Sequence, residues 1–279
     1  MKTDLEKSPI NFGFNQAYWT GKLIAAHIKS QTKITYSASR ICELVKEWGF
    51  TLKRPRIKSK LRDEQERANF IAKVVPTKIG EMKAIALKLH LELDFWFTDE
   101  AGFRRDGTIR AAYFKKGAAA EILESNGRFQ SIKMIGAVNP MTGGFHLKTV
   151  TGKVTLLKYL QYLKDLSQKS PDKYLVIIHD NAPWHGVKNL SKLLLAEGVT
   201  NMGIINLPKY SPDMNPCERF WKWMREEITH CQYYDSLQAL MKNIWKFYRR
   251  ANYQTEKTIR RLKPELNIFS APENLLKPV

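Results

Sequence analysis

The chain has 279 residues, 43% of them hydrophobic, enough for one large domain or two smaller ones with a sizeable core. Lysine and arginine number 46 against 27 acidic residues, a formal charge of +19, and an excess of that size points to a polyanionic partner. No apolar run approaches the roughly 20 residues of a membrane span, "MKTDLEKSPINF" lacks a signal-peptide core, and Cys42, Cys217 and Cys231 contain no C-x-x-C pair, so membrane, zinc-site and disulfide-frame proteins are all disfavoured and a cytoplasmic protein is expected.

Residues 9–50 read as a small helical module. In "FNQAYWTGKLIAAHIKS" the residues Tyr18, Trp19, Leu23, Ile24 and Ile28 make a helical stripe despite Gly21. In "TKITYSASRICELVKEWGF" a second helix places Ile41, Leu44, Val45 and Trp48 on one buried face, with Gly49 just past its end. Ser37, Ser39 and Arg40 open that helix, where a helix-turn-helix protein presents side chains to base edges; a serine there also serves as a plain helix cap. The run 53–62, "KRPRIKSKLR", holds six basic residues and no acid. Lys53, Arg54, Arg56, Lys58 and Lys60 suit either a phosphate-following segment or a solvated tether.

Residues 63–92 have a helical pattern with a break expected near Pro76, leading to a strand Leu93–Thr98 that ends at Asp99. "FQSIKMIGAVNPMTGGFHLKTV" reads as a β-hairpin, about Gln130–Val138 and Phe145–Val150. Residues 153–168 form an amphipathic helix with Leu156, Leu157, Leu160 and Leu163. The run Tyr174–Ile178, apolar without alternation, is a central strand that ends in Asp180. A helix near Val187–Glu197, a short strand "MGIINL", a helix after Pro216 and basic helices over 235–263 complete the chain. A hairpin followed by crossover strands and helices is an α/β plan with a mixed sheet.

Asp99 and Asp180 thus end neighbouring strands, and Glu218 sits in the first turn of a helix whose apolar stripe, Cys217, Phe220, Trp221, Met224 and Ile228, would hold it on the sheet. Three carboxylates on separate rigid elements suit divalent Mg²⁺, which takes hard oxygen ligands, and phosphodiester chemistry uses two such ions about 3.5–4 Å apart. Each acid alone also has an ordinary reading as a turn or helix-dipole residue.

The blocks "FTDEAGF", "IIHDNAPWH" and "NLPKYSPDMNPCERFWKWMREEI" resemble the three catalytic blocks of DDE transposases of the mariner-like superfamily, in its bacterial insertion-sequence branch. The resemblance covers about residues 90–230, and 37 residues between Asp180 and Glu218 suit its short second spacing. It implies an RNase H-like mixed sheet flanked by helices, behind a small helix-turn-helix or winged-helix module. It assigns Asp99, Asp180 and Glu218 as the catalytic, metal-holding acids, with two Mg²⁺ or Mn²⁺ ions. Glu100, Asn181 and His185 become supporting residues around them, while Lys209 departs from the family's usual residue before Tyr210 and its charge suits a DNA contact. The activity implied is cleavage at the ends of a transposon and transfer of the freed 3′-OH into target DNA, by a homodimer on double-stranded DNA. The expected division is a DNA-binding module over 1–55, a basic linker with helices over 56–90, the catalytic domain over 91–250 and a C-terminal tail over 251–279. Members of the family carry two helix-turn-helix modules, and the roughly 50 residues ahead of the linker have room for one. Two other readings stay open: another RNase H-like nuclease, and a DNA-binding relative that does not cut.

Overall fold

Helices and their caps build the first of two compact units, Met1–Lys58 and Ser59–Val279. The computed structural model describes residues 1–53, 60–111, 113, 115–117, 121, 130–182 and 190–262. In the first unit α1 (Lys2–Leu5) is followed by a 3₁₀ turn, Pro9–Phe12, and by α2 (Gly21–Thr32) and α3 (Ala38–Glu47). The stripe predicted to start at Tyr18 is helical only from Gly21, because the Thr20 hydroxyl caps α2 by accepting from Leu23 N, and Tyr18 is left exposed. Ile24, Ile28 and Ile41 pack with Leu5 into a small core. Gly49 has φ +87° and closes α3 as expected: its N–H reaches the Lys46 carbonyl, and that of Phe50 reaches Val45. Among the described residues of this unit there is no strand.

The second unit opens with α4 (Glu64–Asn69) and α5 (Val75–Lys88). The expected break at Pro76 does not occur. A π turn, Phe70–Val74, joins the two helices, with Val75 N–H bonded to the Phe70 carbonyl, and Pro76 falls in the first turn of α5, where a missing N–H costs little. Five strands follow: β1 (Glu92–Arg104), β2 (Ser131–Val138), β3 (Phe145–Val150), then, after α6 (Leu156–Lys169), β4 (Lys173–His179), and after α7 (Leu190–Ala196), β5 (Met202–Asn206). Their order is β3-β2-β1-β4-β5, antiparallel on the hairpin side and parallel between β1, β4 and β5, which is the mixed sheet the element order called for.

Strand alternation sorts the core into two layers. Phe95, Phe97, Ala101 and Phe103 of β1 join Tyr174, Val176 and Ile178 of β4 on the face covered by α5, α8 (Pro216–Ile228), α9 (Leu237–Tyr253) and α10 (Thr255–Leu262). The other face buries Leu175 and Ile177 under Tyr159, Tyr162, Leu163 and Leu166 of α6. Leu157, counted above among the apolar positions of that helix, points to solvent, because the buried stripe is the tyrosine-bearing one. The segment 251–279, expected to be a tail, is packed as far as residue 262: Ala251, Thr258 and Leu262 are buried, and the Thr258 hydroxyl donates to the Ala251 carbonyl. Among the described residues no helix is long and apolar enough to cross a membrane.

Candidate active site

Asp99 does not end its strand. β1 continues to Arg104, paired with β2 alone, after its parallel partner β4 has run out: the last β1–β4 pair is Phe97–Ile178. Asp99 and Asp180 each lie two residues beyond that pair. By alternation both project to the α8 face, in line with the buried Phe97 and Ile178. The Asp180 carboxylate is exposed and accepts from Ala182 N at 3.0 Å.

Helix α8 is fastened to β1 at this point by three side chains. Asn215 is its N-cap, accepting from Cys217 N, while its amide donates to the Thr98 carbonyl at 2.9 Å. The Cys217 thiol donates to the Phe97 carbonyl at 3.0 Å. Trp221 Nε1 donates to the Asp99 carboxylate at 3.1 Å. Trp221 comes this close because its strand neighbour is Gly136, paired with Asp99 across β1 and β2. A Cβ there would lie 2.4 Å from the indole. Pro216 at the first helical position and Asn215 before it fix where α8 starts, which puts Glu218, exposed, in its first turn.

The electrostatics agree with this convergence. Burial, then the charge of Glu218, raise the Asp99 pKa to about 7; Glu100 and Asp180 add to the rise, against a backbone hydrogen bond from Glu100. Among the described residues no three acid, histidine or cysteine side chains are gathered closely enough to hold a metal ion as they stand. The acids concentrate negative charge on oxygen donors at one end of the sheet, so the donor set fits hard divalent cations.

Behind the acids, on the α6 face, the Tyr159 hydroxyl is hydrogen-bonded to Thr98 Oγ1 at 2.7 Å and to His179 Nδ1 at 2.8 Å. Thr98 and His179 immediately precede the two aspartates, so one buried phenol fixes both strands where they present them. Glu100 is half-buried and by alternation lies on that face. Asn181 donates to the Leu207 carbonyl at 2.5 Å and ties the end of β4 to the loop after β5. Lys209 and Tyr210, both exposed, line a cleft with Asp180 and Asn181.

In the first unit the Ser37 hydroxyl caps α3, accepting from Arg40 N at 3.2 Å, and Arg40 pairs with Glu43 and Glu47 of its own helix at 3.0 and 3.2 Å. Ser39, Lys53 and Lys60 are exposed. Arg54, Arg56, Lys58 and His185 lie outside the described residues. Sequence reasoning took Trp221 only for a core residue and missed Asn215, Thr98 and Tyr159. "NP" ahead of Glu218 carried the cap signal for Asn215, whereas nothing local marked Tyr159.

Among the described residues a mixed five-stranded sheet, with one acid within its central strand, one just past the neighbouring strand and one on a crossing helix, defines an RNase H-like enzyme. The DDE superfamily endonuclease model matches residues 94–241, more than half of the chain, and the chain belongs to that family. A winged helix-turn-helix model matches residues 15–74. A protein described as the insertion element IS630 uncharacterized 39 kDa protein of Shigella sonnei is 23% identical over 251 residues, 87% of this chain and 67% of that protein. A Mos1 transposase paired-end complex with left transposon end has a similar structure, with a TM-score of 0.59 and 17% identity over 94% of this chain and 76% of that one. The crystal structure of the mariner Mos1 paired end complex with Mg gives 0.58 and 19%, over 100% and 80%. The likeness to mariner-like and insertion-sequence transposases, carried by three sequence blocks, is borne out.

Proposed function

We propose that this DDE transposase uses Asp99, Asp180 and Glu218 to hold two Mg²⁺ or Mn²⁺ ions, cuts DNA at the ends of its element, and joins the freed 3′-OH ends to target DNA. The observation that carries the assignment is the fastening of α8 to β1, with Trp221 on Asp99 itself and Asn215 on the Thr98 carbonyl, which brings a helix-borne glutamate to two strand-borne aspartates. When bound, the two ions would align the attacking oxygen and offset charge on the scissile phosphate.

The protein groups have separable tasks. Trp221 holds one oxygen of the Asp99 carboxylate from the buried side. Asp180 faces the open cleft, where Lys209 offers a cation to a phosphate. The winged helix-turn-helix unit and the basic run after it bring the duplex to the site, with the opening turn of α3 toward base edges and the linker along the backbone. Paired-end chemistry in the Mos1 complexes supports a homodimer acting on both ends.

The test is cleavage with Mg²⁺ of duplexes carrying the element's terminal sequence, beside scrambled duplexes, by wild type and Asp180→Ala. End-directed cutting that disappears in Asp180→Ala is expected. Cutting without end preference would make the chain a general nuclease, and undiminished cutting by Asp180→Ala would remove the acid from the mechanism.

A further inference from the structure

We propose that Arg67, Arg62 and Asp213 form a positioning cluster that sets Glu218 against Asp99, so that the first helix after the basic linker tunes the metal site. This rests on the assignment of Glu218 to metal binding made above.

Asp213 is the middle residue of a 3₁₀ turn, Pro212–Met214, that delivers the chain into α8. Arg67 of α4 grips it with a fork, Nη1 to Oδ1 at 3.0 Å and Nη2 to Oδ2 at 2.8 Å. Arg62 Nη1 adds a longer contact to Oδ1 at 3.4 Å. Glu64 pairs with Arg62 at 3.0 Å and with Arg67 at 3.4 Å, holding both guanidiniums in place. The Arg67 side chain is only 11% exposed. A two-pronged Arg–carboxylate pair fixes direction as well as distance, and here the guanidinium is largely buried while the Asp213 carboxylate stays 41% exposed.

What that direction controls follows from the order of residues. Asn215, two positions after Asp213, caps α8 and donates to the Thr98 carbonyl. Glu218 comes three positions later. The turn is therefore held by Asn215 on the Thr98 carbonyl and by Asp213 on Arg67, and the first turn of α8 starts directly from it. Folding itself has other anchors: Met214 is fully buried, and α5 is seated by Ile79, Met82 and Ala86. Loss of the fork leaves those contacts intact and removes only the Asp213 hold on the turn. Arg62 is also the last cation of the basic run, and its charge is directed to Asp213 and Glu64 within the catalytic unit.

The experiment measures Mn²⁺ binding to the full chain without DNA, by loss of the free-ion paramagnetic resonance signal, together with thermal melting and Mg²⁺-dependent end cleavage. Asp213→Ala and Arg67→Lys are compared with Glu218→Gln and with the double variant Asp213→Ala/Glu218→Gln. Lysine keeps the charge and stem of Arg67 but not the fork. The expected result is a roughly tenfold weaker Mn²⁺ affinity for Asp213→Ala, the lower end for residues that orient metal ligands. Arg67→Lys should fall between it and wild type, both should melt cooperatively, and Asp213→Ala should add nothing on top of Glu218→Gln. If Glu218→Gln weakens Mn²⁺ binding while neither Asp213→Ala nor Arg67→Lys does, the cluster is only structural and the proposal fails alone. If Glu218→Gln itself leaves Mn²⁺ binding unchanged, the ligand assignment fails and takes the cluster's role with it. Should Asp213→Ala not fold, Arg67→Lys decides: unchanged Mn²⁺ affinity overturns the proposal.

Discussion

Asp99 shows what gathering carboxylates at one place costs a protein. Its carboxyl is largely buried and faces the charges of Glu218, Glu100 and Asp180, which is why its pKa rises to about 7. Without a cation, ionised Asp99 is a destabilising residue. Asp99→Asn removes the charge and keeps an oxygen to accept from Trp221 Nε1. At pH 8 in EDTA this variant should be more stable than wild type by about 1–3 kcal/mol, a rise in Tm of roughly 3–9 °C. The gain should shrink or reverse with saturating Mg²⁺, which binds wild type more tightly, while end cleavage is lost. Parallel melting curves with and without Mg²⁺ check this; a variant less stable than wild type in EDTA would mean that the neighbouring charges do not strain the site. At this scale the sequence exposed the three acids, because their types and flanking blocks were specific. It hid Trp221, Asn215 and Tyr159, whose roles depend on which atoms of β1 they meet across 61 to 122 residues of chain.

Helix α8 and the sheet beneath it were legible as elements, since the stripe Cys217, Phe220, Trp221, Met224 and Ile228 does face the core. Their close fit was not, because it depends on a glycine whose reason lies on another strand. Gly136 lets the Trp221 ring come close to the sheet beside Asp99, and an added methyl would sit 2.4 and 2.6 Å from two indole carbons. Gly136→Ala should therefore lift α8, break the Trp221–Asp99 bond and cost about 1–3 kcal/mol, with a larger relative loss in cleavage. Combining it with Trp221→Phe, which vacates the space, should cost less than the sum of the single changes, as contacting residues do. Urea melts and Mg²⁺-dependent cleavage of the three variants check both statements, and strict additivity would show that the methyl clashes elsewhere. Other element-scale expectations yielded to packing. Pro76 did not break its helix because a π turn absorbed it, and β1 outran Asp99 because β2 went on pairing after β4 had stopped.

Across the whole molecule the dominant sequence signal was charge. The +19 excess is spread over both units, and the run 53–62 concentrates six cations in ten residues. Counterion release makes the consequence measurable. A protein that neutralises several phosphates binds DNA with an affinity falling steeply as salt rises, about 10³-fold between 50 and 200 mM for six contacts. Replacing Lys53, Arg54, Arg56 and Lys58 by alanine should weaken binding most at low salt and lower the slope of log affinity against log salt by about 3 to 4 if all four reach phosphates. The loss should be equal on end-sequence and scrambled duplexes, since backbone contacts position the protein without reading bases. Fluorescence anisotropy over a salt series separates the outcomes. An unchanged slope would make the run a tether whose charge only keeps it extended. A loss confined to the end sequence would mean that these side chains enter a groove and read it. A flattened slope on both duplexes would assign these side chains to the DNA backbone and leave sequence choice to the helices ahead of them.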